Sequence, residues 1–124
     1  MKRDWDLIRK ILIAAEEKRP GEHLSNEDID GCDPQLVAAH MDMLHDAGYI
    51  EARFSRSNSL AAILLKITYS GHDLLDTMRS DSAWSGIKNV AKSKGLELTF
   101  EVVKQLGKVV VDKLIKGEPI PGIS

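Results

Sequence analysis

At Gly48 the hydrophobic period of this chain changes from that of a helix to that of a strand, so the fold must carry a helix directly into a sheet. Upstream, Val37, His40, Met41 and Leu44 recur every three or four residues and so share one side of a helix. Downstream, Ile50, Ala52 and Phe54 alternate with Glu51, Arg53 and Ser55, the period-two pattern of a half-buried strand. Asp33-Pro34 starts the helix, because the carboxylate accepts first-turn amides and proline at the first helical position loses no hydrogen bond. Gly48 is placed to end it in a left-handed conformation. Ser55-Arg56-Ser57-Asn58-Ser59 has the composition of a turn, and a second strand from about Ala61 to Thr68 closes a hairpin.

The same reasoning extends along the chain. Trp5, Ile8, Ile11, Leu12 and Ala15, widened by Leu7 and Ala14, mark a helix from Asp4 to Lys18 that Pro20-Gly21 terminates. The polar stretch Glu22 to Gly31 fits a short strand, a single helical turn, or both. Thr68-Tyr69-Ser70-Gly71 opens a helix with Leu74, Leu75 and Met78 on its apolar side. Two more helices follow, from about Ser82 to Lys94 with Trp84, Ile87 and Val90 inward, and from about Phe100 to Lys116, with Gly95 and Gly117 at their ends. The tail, residues 118–124, holds Pro119 and Pro121 and should be extended. The expected class is mainly α with a small β-hairpin, an α+β chain: a domain over residues 1–80, then a helical extension over 81–117 packed on that domain or on a second subunit.

A chain of 124 residues has the size of one domain, and no apolar run approaches the ~18 residues needed to span a bilayer. No membrane partner is expected. Acidic Asp4 and Asp6 and a helical pattern stand where a signal peptide would carry an apolar stretch, and Cys32 has no second cysteine to pair with, so the chain reads as cytoplasmic. The net charge of −2 offers nucleic acid no overall attraction. Charge is nonetheless uneven: residues 1–50 hold six Lys/Arg against eleven Asp/Glu, and residues 82–124 hold seven against four.

Helix, ambiguous segment, helix ending Leu44-His45-Asp46-Ala47-Gly48-Tyr49-Ile50, hairpin, then Thr68-Tyr69-Ser70-Gly71-His72-Asp73-Leu74-Leu75: this order resembles a bacterial winged helix-turn-helix. The Leu-x-x-x-Gly-aromatic-Ile turn and the Thr-x-x-Gly-x-x-x-Leu helix start carry the likeness. More narrowly, Lys2-Arg3-Asp4-Trp5-Asp6-Leu7-Ile8-Arg9-Lys10-Ile11-Leu12 with Ala39-His40 is similar to the YjcQ-like family of bacterial and prophage proteins. That resemblance implies a winged-helix fold with a C-terminal helical extension and a bacterial or phage home. It supplies no activity to carry over.

Among DNA-reading winged helices, base edges are met by Arg, Lys, Asn, Gln or Ser on the second helix of the motif. Here the outward positions read Gln35, Ala38, Ala39, Asp42, His45 and Asp46, of which Gln35 alone could pair with an adenine edge. The hairpin is richer: Arg53 and Arg56 lie among Ser55, Ser57, Asn58 and Ser59, all able to bond phosphate from a loop beside a minor groove. Duplex DNA is therefore the expected partner, with Arg53, Arg56, Ser57, Asn58 and Gln35 as contacts, and a transcription-regulating role follows. The alternative is a protein-interaction module that uses the acidic helix or the last helix. Val103, Leu106, Val110 and Leu114 make that last helix an interaction surface, suited also to a homodimer.

No catalytic residue, metal or cofactor is expected. Ser70, His72 and Asp73 are triad types, but neighbours in one helical turn cannot form the required chain of hydrogen bonds. His40 and His45 are about 140° apart around a helix, unlike zinc ligands at i and i+4, and His40 suits a core position. Cys32 lacks a Cys-x-x-Cys partner, its neighbours Asp30 and Asp33 disfavour a thiolate, and no phosphate-binding glycine loop is present.

Overall fold

The switch of period at Gly48 becomes a helix running into a sheet in the computed structural model, which describes residues 1–57 and 59–119. The chain divides into two compact units, Met1–Asp73 and one that begins at Leu74. In the first, α1 (Trp5–Glu16), β1 (Leu24–Ser25), α2 (Pro34–Asp46), β2 (Ile50–Arg56) and β3 (Leu60–Ile67) follow in order, and α3 (Tyr69–Met78) starts. The hairpin expected from sequence gains a third strand. β1 pairs antiparallel with β3 on the side away from β2, giving the order β1-β3-β2.

The helix ends are set by the residues that predict them. Asp4 Oδ1 accepts the Leu7 amide at 3.1 Å and Asp33 Oδ1 the Gln35 amide at 2.9 Å, so each cap satisfies a first-turn donor. Gly48, at φ +83°, turns α2 into β2, a conformation that costs a residue with Cβ about 1–2 kcal/mol. Ile8, Ile11, Leu12, Val37, Met41, Leu44 and Ile50 are buried, and the full burial of such side chains contributes about 1.5–3 kcal/mol each. Contrary to the sequence reading, Ala38 is fully buried. α2 is packed by α1 on one flank and by β2 and β3 on the other, so its inward face is wider than one stripe and a methyl group fits where the elements converge.

Two motifs read separately in the sequence interlock. Thr68 Oγ1 donates to the Gly48 carbonyl at 2.6 Å, the Thr68 amide donates to the Tyr49 carbonyl at 3.0 Å, and the Gly71 amide donates back to Thr68 Oγ1 at 3.1 Å. Gly71 lies so close that a Cβ there would sit 1.9 Å from the Tyr49 carbonyl oxygen. Glycine is required here by contact, since its own backbone is helical.

Between β1 and α2 there is no helix. The segment instead folds as turns in which Asp28 Oδ2 accepts the Ser25 amide at 2.8 Å and Ser25 Oγ accepts the Glu27 amide at 3.2 Å. Ile29 is its buried apolar anchor. Asn26, 4% exposed, is its polar one: Nδ2 donates to the Pro34 carbonyl at 2.9 Å, and Oδ1 accepts the Ala62 amide at 3.2 Å. One side chain thereby joins β1, β3 and the start of α2.

The second unit holds α4 (Asp81–Ser93) and α5 (Phe100–Lys116), packed against each other. Ala83, Trp84, Ile87, Val90 and Ala91 of α4 are buried. In α5, Val103, Gly107 and Val110 are buried, and a Cβ on Gly107 would lie 2.5 Å from Thr77 Cβ, so glycine lets two backbones approach.

Candidate interaction site

The exposed side of α2 and the hairpin beside it hold most of the residues singled out by sequence, and the structure sorts them differently. Strand alternation puts Arg53 and Arg56 on opposite faces of the sheet. Ile50, Ala52, Phe54 and Arg56 share the face toward α2, whereas Arg53 lies across from Ile63 on the other face. Arg56 Nη2 reaches Asp42 Oδ2 of α2 at 3.3 Å. Because Arg56 is 68% exposed, such a pair contributes only about 0.2–1 kcal/mol. Its main consequence is electrostatic: the hairpin-tip cation is matched by a carboxylate.

Gln35 is engaged as well. Its Nε2 donates to the Leu60 carbonyl and its Oε1 accepts the Leu60 amide, both at 2.9 Å, so the amide caps the start of β3 like an extra strand residue. Reading an adenine edge would require both bonds to break. Ser57 is exposed at the end of β2, and Asn58 lies outside the described residues. His45 sets its ring against Phe54, with centroids 5.5 Å apart and planes at 64°, an edge-to-face contact. The outer surface of α2 is thus left to Ala39, Asp42, His45 and Asp46.

Sequence places this face in a cation-free stretch. Between Arg19 and Arg53 there is no Lys or Arg, while there are eight Asp/Glu. A phosphate about 4 Å from any one of these carboxylates would be repelled by about 1 kcal/mol even in bulk water.

The last helix is not uniformly available. Val103 and Val110 are fully buried in the chain, which corrects their assignment to an exposed interaction surface. Leu106 is half-buried and Leu114 is 41% exposed. The apolar side chains left in contact with water are Val109, Leu114 and Ile115, displaced toward the C-terminal end. The stripe read from sequence is mainly the face that packs.

His40 is fully buried, as its helical position suggests. The Asp4 backbone amide can only donate, and it meets Nε2 at 2.9 Å. Nδ1 must therefore carry the proton that bonds the Leu36 carbonyl at 2.8 Å, which fixes a neutral tautomer. The ring ties the start of α1 to α2 and has no valence left for a ligand. Among the described residues no three His, Cys, Asp or Glu side chains are grouped to hold a metal ion. No helix of the described residues is long and apolar enough to cross a membrane. Asn26 was missed by sequence reasoning, because its role depends on strand pairing with Ala62, 36 residues away.

Fold and site together define an α+β chain whose described residues form five helices and a three-stranded antiparallel sheet, with an acidic helix face beside a short hairpin. The model of the family described as "Hypothetical protein (DUF2513)" matches residues 2–97. The chain belongs to that family. It is also 36% identical over 117 residues to an "Uncharacterized protein" of Haemophilus influenzae (strain ATCC 51907 / DSM 11121 / KW20 / Rd), covering 93% of this chain and 99% of that one. No solved structure matches. The family match spans the first unit and α4 and stops short of α5, whereas the Haemophilus relative is similar over nearly the whole length. The narrower likeness to YjcQ-like proteins stays a resemblance.

Proposed function

We propose that the first unit is a winged-helix variant that acts by binding a protein through the face made by α2 and the hairpin tip. The winged-helix reading is supported by the order α1, β1, α2, β2, β3 and by the sheet order β1-β3-β2. In this reading the Asn26-anchored turns replace the middle helix of a full helix-turn-helix. Fold likeness alone does not assign a role, so the role rests on the site.

The observation that carries the protein-binding reading is the outer face of α2, which has no Lys or Arg of its own and presents Asp46 exposed and Asp42 half-buried beside Arg56. Charge complementarity favours a partner with a basic contact surface. Duplex DNA is the second reading, favoured by Arg53, which has no ion pair with a described residue, and by the exposed hydroxyls of Ser55 and Ser57. It has less support, because Arg56 is paired with Asp42 and the Gln35 amide is already bonded.

A photo-crosslinking residue at Ala39, with one at Ala61 as the control on the other side of the sheet, tests the proposal in the native cell. A discrete protein adduct from position 39 that is absent from position 61, and lost when Asp42 and Asp46 are both replaced by Lys, is the expected result. Nucleic acid in the adduct, or equal adducts from both positions, refutes the reading.

A further inference from the structure

The cations missing from α2 are gathered elsewhere in the same unit. The outward face of the sheet carries two adjoining cavities, of about 450 and 360 Å³, which share His23 and Leu65 in their linings. The larger is also lined by Lys18, Arg19, Lys66 and His72, and the smaller by Arg53 and Ile63. These side chains come from the end of α1, the turn into β1, both hairpin strands and the first turn of α3. Tertiary structure alone brings them together.

Their charge state differs from that of Arg56. Lys18, Arg19 and Arg53 form no ion pair with a described residue, and Lys66 meets only Glu51, at 3.7 Å with both side chains more than half exposed. Two carboxylates line the larger cavity. Glu22 has one oxygen bonded to the Arg19 backbone amide at 2.8 Å, and Glu16 has partners of its own. The surface also carries apolar side chains: Ile63, at mid-strand, is 45% exposed, and Leu65 lines both cavities. Three cations without an ion pair to a described residue, and Lys66 with a loose one to Glu51, surround exposed aliphatic side chains and imidazole rings, an arrangement that fits a ligand with phosphate groups and a flat, weakly polar body.

We propose that this trough binds phosphate esters of nucleoside type, with phosphate on Lys18, Arg19, Arg53 and Lys66 and the base against Ile63, Leu65 and the His23 ring. Stacking on flat or apolar side chains is tolerant of base identity, and phosphate contacts make affinity depend on salt. The site lies on the face of the sheet turned away from α2, so it stands independently of the protein-binding reading above.

The test uses the full chain with two probes, adenosine monophosphate and a fluorescein-labelled fifteen-residue oligothymidylate, which separate a free nucleotide from a nucleic-acid strand as the source of the phosphate. Each is titrated at low and moderate salt, with amide chemical shifts recorded in parallel. Expected are shifts centred on His23, Ile63 and Leu65. Expected too is oligonucleotide affinity in the ~10⁻⁴–10⁻⁶ M range of sequence-independent binding, with a salt slope of about 0.7 per phosphate contacted. The exposed double substitution Arg19→Glu with Arg53→Glu should weaken binding at least about tenfold, by that electrostatic argument. Arg56→Glu, on the opposite face, should change it less than about twofold on the same grounds. Binding of adenosine monophosphate without the oligonucleotide supports a small-molecule site, and the reverse supports a strand-binding site. Binding of neither probe at low salt, shifts confined to α2, or equal effects of Arg56→Glu and Arg53→Glu overturn the proposal.

Discussion

Replacing Asn26 by Ala probes the buried polar side chain that anchors the turns between β1 and α2. Its Nδ2 and Oδ1 satisfy the Pro34 carbonyl and the Ala62 amide, and the residue is 4% exposed, so water does not readily replace the lost partner. A buried polar group left without a partner costs about 1–3 kcal/mol, and that is the expected loss, because the Ala62 amide is orphaned whereas the Pro34 carbonyl, the first of α2 and on an exposed residue, keeps its place in the helical ladder. Asn26→Asp sharpens the prediction. A carboxylate can still accept from Ala62, but it has no hydrogen to give Pro34 and carries a charge into a buried site, so it should cost at least as much as Ala. Urea unfolding followed by tryptophan fluorescence measures both, with Trp5 in the first unit and Trp84 in the second. Amide exchange supplies the local readout, since Ala62 should lose protection in Asn26→Ala and keep more of it in Asn26→Asp. A loss below about 0.5 kcal/mol for Asn26→Ala is the size of an ordinary surface substitution and would refute the account of this segment.

Leu44→Ala, at a fully buried position of α2, should cost about 2–5 kcal/mol in the same unfolding assay. Gly71→Ala would place a methyl group 1.9 Å from the Tyr49 carbonyl oxygen, and overpacking of this kind costs about 1–3 kcal/mol; a melting temperature equal to that of the wild type would remove the interlock from the fold. Arg56→Ala should change stability by less than about 1 kcal/mol, because its ion pair with Asp42 is exposed; a larger loss in denaturant titration would mean that the hairpin tip depends on it. If α5 associates with a second copy, Ile115→Asp should abolish the dimer seen by light scattering while leaving the helix content of the circular dichroism spectrum unchanged, since Ile115 is 79% exposed.

The proposed interaction face was only half legible in the sequence. Acidic residues on α2 could be read directly, because helix periodicity assigns Asp42 and Asp46 to the surface. The division of Arg53 from Arg56 was legible too, since residues three apart on a strand face opposite ways, yet composition grouped them as one basic hairpin. Gln35 could not be placed that way, because its partner is a backbone segment 25 residues further on. Val103 and Val110 read as a spare apolar surface only while the chain that covers them was unknown.

Sequence alone determined where the helices lie, through the 3.6-residue apolar period, Asp4 and Asp33 as caps, and Gly48 as the exit into β2. These are local effects, settled within a few residues by dihedral preference and by the amides of one helical turn. Tertiary structure decided the rest. Pairing of Leu24 with Leu64 made a polar, ambiguous segment a third strand, and Asn26 became a buried joint only once Ala62 and Pro34 were beside it. The sheet's pleat then directed one arginine to Asp42 and the other toward Ile63, because a side chain's partners depend on which face of a strand it occupies and on what packs there.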